Sequence, residues 1–310
     1  MIDKGGTVYA DTSDLVRLQH EARGFSFLPK QPLNSLLAGR HRSKLRGRGL
    51  DFEELRHYRI GDDIRAMDWK VTNRTGKPHV RVHTEERERP AFLLIDQRIS
   101  MFFGSRWKMK SVVAAELAAL AAWRVIDVGD RVGAFVFSDA DVVEIKPQRY
   151  RRTVLRIIGQ TARLNHALKA GQEQPHNPDQ LNAVLRRVER LAKHDALIAI
   201  VSDFAGWNDE TVKRMKRAAR HNDVIAALVY DPLERELPDT RVMVVSDGGL
   251  QIEVDTGQDA LRGEFAGRFA SRVDYLRSEL NKHGVPVLPI DTTEPVAHQL
   301  RRAIGDLARR

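Results

Sequence analysis

The stretch Ala91-Phe92-Leu93-Leu94-Ile95-Asp96-Gln97-Arg98-Ile99-Ser100 decides the fold of this chain. Its first five residues form an apolar run of the length expected for a strand that is buried on both faces of a sheet. Polar residues follow at once, beginning with Asp96. Open α/β sheets bind ligands at the carboxyl ends of their strands, so functional residues are expected here.

Four more apolar runs resemble the first. The five runs are residues 91–95, 132–137, 197–201, 224–230 and 285–290. Amphipathic helical patterns occur at residues 108–127, 151–164, 180–193, 210–220 and 265–280. The alternation predicts an α/β fold with a mostly parallel sheet and helices on both faces. Shorter segments predict a strand at residues 142–145, antiparallel to the second run, and a hairpin of residues 242–245 with 250–254.

Residues 1–90 differ from the rest because they contain no buried-strand run. A short helical pattern starts at Ser13 and stops at Gly24, and Pro29 and Pro32 lie in a predicted connector. We therefore predict an accessory N-terminal segment lying on the α/β domain. The predicted organisation is an N-terminal arm at residues 1–38, a segment at residues 39–90 packed on the main domain, and the main domain at residues 91–310.

The composition excludes several classes of protein. With 310 residues and 42% apolar content, the chain can bury a sizeable core and is not a disordered protein. The absence of cysteine excludes disulfides, thiolate nucleophiles and cysteine zinc sites, and favours a reducing compartment. The N-terminus lacks the apolar core of a signal peptide, and the most apolar stretch, residues 112–123, is interrupted by Glu116. We expect a cytoplasmic protein without membrane insertion.

The net charge of +9 favours acidic partners, although the positive charge is spread along a chain that is also rich in acids. The densest group of cations is Arg40, Arg42, Lys44, Arg46 and Arg48. This run lacks the interleaved aromatic residues that stack on bases. A solvated or protein-contacting arm is therefore favoured, and nucleic acid is not the expected partner. A basic nucleic-acid-binding or processing protein remains the alternative function.

Catalytic patterns are missing from the sequence. The 11 histidines show no H-E-x-x-H zinc spacing, and no G-x-S-x-G elbow occurs. His194 and His221 come just before predicted strands, at the edge of the sheet opposite the expected ligand edge. We expect these histidines to be turn residues and the protein not to be an enzyme.

An ordered block of residues resembles the signature of a known family. The block comprises residues 39–43, 47–49, 51–56, Tyr58, residues 61–63, Arg65, Asp68-Trp69 and residues 80–86. It resembles the domain of unknown function 58 (DUF58) family, which is MoxR-associated and related to von Willebrand factor A domains. The resemblance runs from about residue 39 to the end of the chain and implies a Rossmann-like von Willebrand factor A-type sheet from Ala91 onward. It further implies a non-catalytic adaptor that works with a MoxR-type AAA+ ATPase and an unidentified client in protein assembly or maturation.

The signature contains residues that are suited to a structural clasp. Arginines supply planar donors and aspartates supply acceptors, so bidentate pairs can pin a loop, and a tryptophan can bury a large ring. The predicted clasp is Arg56, Asp62, Asp63, Arg65, Asp68 and Trp69. The alternative is a hydrolytic metal site formed by these aspartates with Glu85, Glu86 or Glu88. Carboxylates interleaved with this much arginine are more plausibly paired with it, so the clasp is favoured.

The resemblance also implies a degenerate metal-ion-dependent adhesion site at the strand ends. The pattern keeps Asp96, Ser100 and Asp203, but Arg98 replaces the middle serine, and the threonine position falls near Asp179. A cation beside two carboxylates disfavours Mg²⁺, so we expect an arginine-filled site with no metal and no other cofactor. The alternative is that Arg98 turns to solvent while Asp179 adds a ligand. A simpler interpretation is that Asp96 and Ser100 only shape a loop and cap a helix.

Four aromatic residues in the same loops are candidates for partner binding: Phe102, Phe103, Phe204 and Trp207. Exposed aromatic side chains suit interface anchoring. The equally supported alternative is that they cover the end of the sheet.

Overall fold

The computed structural model of the protein describes residues 7–24, 50–60, 62–85, 89–169, 176–240, 242–246 and 251–308. The chain divides into two compact units, a large unit of residues 1–37 with 89–310 and a small unit of residues 38–88. The cation run at residues 40–48 lies outside the described residues, as do Glu86 and Glu88.

The described elements follow one another in a largely alternating order. The helices are α1 (Thr12–Arg17), α2 (Trp69–Thr75), α3 (Lys110–Asp127), α4 (Arg151–Ala167), α5 (Gln180–Leu191), α6 (Asp209–Ala219), α7 (Pro232–Arg235), α8 (Asp259–Asn281) and α9 (Val296–Ala308). The strands are β1 (Leu50–His57), β2 (His79–Glu85), β3 (Pro90–Asp96), β4 (Arg131–Phe137), β5 (Val142–Gln148), β6 (Leu197–Ser202), β7 (Asp223–Tyr230), β8 (Val242–Ser246), β9 (Gln251–Asp255) and β10 (Val287–Asp291). In the described ranges, no helix combines the length and apolar composition that crossing a bilayer requires.

The large unit is built on a six-stranded sheet with the strand order β10-β7-β6-β3-β4-β5. β3 pairs in parallel with both β4 and β6, so that Leu94 lies opposite Phe135 and Ile200. All neighbouring strands are parallel except β5, which is antiparallel to β4. These pairings confirm the predicted mostly parallel α/β sheet and its antiparallel strand. β8 and β9 form the predicted hairpin, in which Val242 lies opposite Asp255.

The period of two along each strand sorts the apolar side chains into two cores, one on each face of the sheet. In β3, Leu93 and Ile95 join the core formed with α3, α4 and α9. Phe92 and Leu94 join the core formed with α5, α6 and α8. Helices cover both faces of the sheet. The carboxyl ends of its parallel strands therefore lie together along one edge, where the loops that follow them reach the surface.

Residues 7–24 belong to the large unit and contribute Ala10, Leu15 and Ala22 to the core on the α3 face. The backbone N–H of Ala10 donates to the side-chain oxygen of Asn165 in α4 at 2.8 Å. The prediction of a single helix from Ser13 to Gly24 is wrong, since α1 ends at Arg17 and a 3₁₀ turn follows at Ala22–Gly24. Backbone bonds to the third preceding carbonyl tighten the chain between these two elements.

The small unit contains the antiparallel pair β1 and β2, with an irregular register between Phe52 and Glu54. α2 lies between the two strands along the chain and is capped by Asp68, whose carboxylate accepts from the backbone N–H groups of Lys70 and Val71. The sequence analysis did not predict β1 or β2, because their mixed polar and apolar residues do not form a buried-strand run. It also did not predict α9.

Candidate functional site

Each strand of the parallel part of the sheet is followed closely by an aspartate. These residues are Asp96 at the end of β3, Asp139 after β4, Asp203 after β6, Asp231 after β7 and Asp291 at the end of β10. All but Asp291 are buried. Of these five aspartates, only Asp96 and Asp203 were predicted to be site residues, because only they match the adhesion-site pattern. The signal for the other three was an acid after every parallel strand.

Asp96 is fully buried and is paired with Arg98. The Nε and Nη2 atoms of Arg98 donate to Oδ1 and Oδ2 of Asp96 at 3.0 and 2.7 Å, which is a bidentate ion pair. The Ser202 hydroxyl donates to Oδ2 of Asp96 at 2.6 Å. The Arg98 backbone N–H also donates to Oδ1 of Asp96 at 3.0 Å. Asp96 thus stabilises the turn that places the Arg98 guanidinium beside the Asp96 carboxylate.

Arg98 also connects loops that are distant in sequence. Its Nη1 atom donates to the carbonyl oxygen of Ala205, after β6, at 3.1 Å, and lies 3.4 Å from the carbonyl oxygen of Pro178, before α5. Its Nη2 atom lies 3.8 Å from Oδ1 of Asp203. The side chain is 1% exposed, so the alternative in which Arg98 turns to solvent is wrong. A single guanidinium thus holds three loops together.

Lys110 supplies a second buried cation that the sequence analysis missed. It is the first residue of α3, and its Nζ atom donates to Oδ2 of Asp203 at 2.9 Å and to Oε1 of Glu234 at 2.7 Å. A cation at a helix N-terminus faces the positive end of the helix dipole. The lysine at the start of the predicted helix could have indicated this contact, because a cation at that position is stable only with carboxylates nearby.

The strand-end cluster comprises Asp96, Arg98, Lys110, Ser202, Asp203 and Glu234, and its environment shifts several pKa values. Burial raises the pKa of Asp96 above its ordinary value of 3.8, while Arg98 opposes the rise. Burial acts in the same direction on Asp203, but Lys110 and Arg98 outweigh it and hold the pKa of Asp203 at about 2. Burial opposes charge on Lys110, yet attraction to Asp203 and Glu234 raises its pKa.

This donor set does not fit Mg²⁺. A divalent cation needs carboxylate oxygens that are free to coordinate it. Both oxygens of Asp96 accept hydrogen bonds from Arg98, and those of Asp203 accept from Lys110 and from the backbone N–H of Ala205. Two cations of the chain itself therefore hold the carboxylates that a metal would need.

Among the described residues, the side chains of the other two members of the predicted adhesion site, Ser100 and Asp179, make no hydrogen bond to this cluster. Ser100 has a buried hydroxyl with no hydrogen-bond partner among the described residues. Asp179 is exposed just before α5 and its side chain does not cap that helix. Neither residue joins Asp96 and Asp203. Asp139 instead orders the neighbouring loops, since it accepts from the backbone N–H groups of Ile99 and Asn177 at 2.7 Å each.

The four predicted partner-binding aromatics have different environments. Phe204 is fully buried in a left-handed backbone conformation (φ 54°), so it is not a partner-binding candidate. Trp207 packs on Tyr275 with ring centroids 5.4 Å apart. Phe102 packs on Tyr9 at 5.7 Å, and Phe103 is 39% exposed.

Residues near the N-terminus extend this aromatic surface. The Thr7 backbone N–H donates to the carbonyl oxygen of Trp107 at 2.7 Å, which brings the segment after Thr7 beside the loop between β3 and α3. Val8 and Tyr9 are exposed there. We define the loop patch as Val8, Tyr9, Phe102, Phe103 and Trp107.

The predicted clasp residues form local contacts within the small unit. Arg56 donates to both carboxylate oxygens of Asp62 at 2.7 Å, and this interaction, with the Arg59 backbone N–H, lowers the pKa of Asp62 to about 2. Asp63 caps a 3₁₀ turn by accepting from the backbone N–H of Arg65.

The expectation that Trp69 buries its ring is wrong. Trp69 is the first residue of α2, and it is 60% exposed. In the alternative metal site, Asp62 would be a ligand, but its carboxylate is paired with Arg56. In the described ranges, no three His, Asp or Glu side chains are grouped so that they could hold a metal.

The family profile described as protein of unknown function DUF58 matches residues 54–274 of the chain. The chain belongs to the DUF58 family. This finding confirms the family predicted from the signature. Relatives in this comparison include uncharacterized protein Rv1480 of Mycobacterium tuberculosis and uncharacterized protein Mb1516 of Mycobacterium bovis. Each is 29% identical over 284 residues, which is 89% of this chain and 85% of the relative.

Solved structures similar to this DUF58 protein include two from Bacteroides. One is the conserved hypothetical protein BatB from Bacteroides thetaiotaomicron, with 15% identity and a TM-score of 0.40. The other is an aerotolerance-related membrane protein from Bacteroides fragilis, with 14% identity and a TM-score of 0.41. Each match covers 72% of this chain and 100% of the other chain.

The chemistry of the strand-end cluster in this DUF58 protein is that of a cross-link. Asp96 and Asp203 are committed to cations of the chain, and Lys110 is held between Asp203 and Glu234. The arrangement can hold the loops at the carboxyl edge of the sheet in one geometry.

Proposed function

We propose that this DUF58 protein is a non-catalytic protein-interaction adaptor that works with a MoxR-type AAA+ ATPase in protein assembly or maturation. The proposal includes a von Willebrand factor A-like large unit with a degenerate adhesion site, a cytoplasmic location and a client protein yet to be identified. The signature residues that resemble the MoxR-associated family support the choice of partner.

The observation that carries the adaptor role is the loop between β3 and α3. Arg98 and Lys110 fix its two ends to carboxylates, and the backbone N–H of Ser105 in its middle donates to Asp231 at 2.9 Å. The loop presents Phe102 and Phe103 within the loop patch. A loop that is fixed in this way and carries an exposed aromatic side chain, Phe103, suits protein binding, because little conformational entropy is lost when it is bound.

Affinity capture with the MoxR-type ATPase of the same organism tests the adaptor role. The full chain is immobilised, and ATPase binding is measured without nucleotide, with ADP and with a slowly hydrolysed ATP analogue. We expect binding in at least one nucleotide state. Phe103→Ala should weaken that binding about tenfold or more if the residue is an anchor of the interface.

Leu191→Ala is the matched control, since Leu191 is a similarly exposed apolar residue (44%) at the end of α5. It should leave binding unchanged. Absence of a complex in all nucleotide states would exclude this ATPase as the partner. Equal losses from both variants would exclude the loop patch as the binding surface.

A further inference from the structure

Residues 145–169 carry a dense group of exposed cations. The segment contains seven lysines and arginines and no aspartate or glutamate, in a chain that has 42 acidic residues among 310. We define the basic stripe as these cations: Lys146, Arg149, Arg151, Arg152, Arg156, Arg163 and Lys169. All seven are exposed.

The helix α4 arranges four of these cations on one face. At about 100° per residue, Arg151, Arg152, Arg156 and Arg163 fall within an arc of roughly 140°. The opposite face is buried in the core through residues that include Val154, Ile157 and Ile158. Arg151 and Arg163 are twelve residues apart in α4, so these arginines extend along about 18 Å of surface. Lys146 lies in β5, an edge strand of the sheet, and Arg149 lies between β5 and α4.

Most of the stripe lacks acidic partners. Within the described part of the chain, no carboxylate oxygen lies within 4.0 Å of the guanidinium groups of Arg151, Arg152, Arg156 or Arg163. By contrast, Arg214 on α6 is paired with both Glu189 and Glu210. These four arginines of α4 are therefore not neutralised by ion pairs with described carboxylates.

One aromatic side chain lies among the cations. Tyr150 is 57% exposed, and the guanidinium carbon of Arg152 lies 4.7 Å from its ring centroid. An exposed ring beside arginines can stack on a base while the arginines contact phosphates.

We propose that the basic stripe binds nucleic acid through its phosphate backbone. Five of the seven cations are arginines, whose planar forks match phosphate oxygens. A length of about 18 Å spans roughly five phosphates along one strand of a duplex at ~3.4 Å each. A protein partner fits less well, because protein interfaces have an apolar core, and Tyr150 and Leu155 are the only large apolar residues exposed among the described residues of this segment. A membrane fits less well because α4 buries its apolar face in the core.

Fluorescence anisotropy with the full chain and a labelled 20-nucleotide single strand tests the proposal, over KCl concentrations from 50 to 300 mM. The variant Arg152→Gln/Arg156→Gln/Arg163→Gln removes three cations of the stripe. If each contacts one phosphate, the slope of log affinity against log salt should fall in magnitude by about 2, and affinity at 0.1 M salt should fall about 100-fold. The matched control, Arg186→Gln/Arg187→Gln/Arg190→Gln, removes three exposed arginines of α5 and should change neither quantity much.

Several results would overturn the proposal. Equal losses in the two triple variants would indicate an effect of net charge alone. Loss only in a variant in which Arg40, Arg42, Lys44, Arg46 and Arg48 are replaced would place the binding in that run. Equally tight binding of polyglutamate, or binding of vesicles containing anionic lipid without binding of the oligonucleotide, would identify a different class of partner. Thermal melts confirm folding, and Arg156→Gln alone serves if the triple variant does not fold.

Discussion

Replacing Arg98 by methionine tests whether the buried ion pair holds the carboxyl edge of the sheet together. Methionine keeps most of the apolar stem and removes the guanidinium, which leaves Asp96 as a fully buried carboxylate without its charge partner. Removing one partner of a buried pair costs about 3–5 kcal/mol of unfolding free energy. We expect a loss of this size at pH 7, which a domain of ordinary stability can survive.

The pH dependence of that loss distinguishes a buried charge from a simple packing defect. Burial already raises the pKa of Asp96, and without Arg98 the pKa rises further. A carboxyl whose folded pKa exceeds its unfolded pKa is protonated in both states at low pH, so its cost disappears there. The loss caused by Arg98→Met should therefore be largest near neutral pH and should shrink as pH falls toward about 4.

Urea denaturation at pH 4, 5, 6 and 7 measures these free energies. The double variant Asp96→Asn/Arg98→Met provides the control, because asparagine keeps an acceptor for Ser202 and carries no charge. The double variant should be more stable than Arg98→Met alone at pH 7 and should show no comparable pH dependence. A loss below about 1 kcal/mol, or a loss that does not change with pH, would refute the reasoning.

Three further predictions follow from the same edge of the sheet. Because Lys110 helps to hold the pKa of Asp203 at about 2, Asp203 contributes roughly 2 kcal/mol of stability above pH 4 that is lost as pH falls toward 2, and acid titration of Lys110→Met should show a smaller loss. Calorimetry should detect poor Mg²⁺ binding by the wild type and by Arg98→Ser, and better binding by Arg98→Ser/Lys110→Ser; tight binding by the wild type would contradict the cation-filled site. Gly206→Ala should be more destabilising than Gly76→Ala in thermal melts, since both have positive φ (75° and 67°) but only at Gly206 would a Cβ meet a neighbouring proline, at 2.5 Å.

The sheet was predictable because its strands are buried on both faces. Continuous apolar runs such as residues 197–201 need no knowledge of their neighbours to be recognised, and the helices between them show a clear period. β1 and β2 were not predictable in this way, since Asp51, Glu53 and Glu54 interrupt the apolar pattern of β1. The mixed polar and apolar sequence of a strand in a two-stranded sheet resembles the sequence of a loop.

The candidate site was predictable only where its residues are close in sequence. Asp96 and Arg98 are two residues apart, so their charges and the missing serine indicated a pair. Lys110 reaches Asp203 across 93 positions of the chain, and Glu234 reaches Lys110 across 124. Contacts of this kind depend on which strands are neighbours in the sheet, and the apolar pattern alone does not specify that order. The basic stripe does not depend on such contacts: the helix at residues 151–164 was predicted, but its cations were not placed on a helix face.

The two cations of the strand-end cluster have a consequence for how the loop patch is presented. Arg98 and Lys110 lie at the two ends of the loop that carries Phe103, and both approach Asp203, which directly follows the neighbouring strand β6. The backbone N–H of Lys110 also donates to the carbonyl oxygen of Phe103 at 2.7 Å. Because these cations are part of the chain, the loop keeps its geometry without recruiting an ion from solution. A partner that reads the loop patch then meets a preorganised surface, and breaking either ion pair should weaken that partner's binding even where the fold survives.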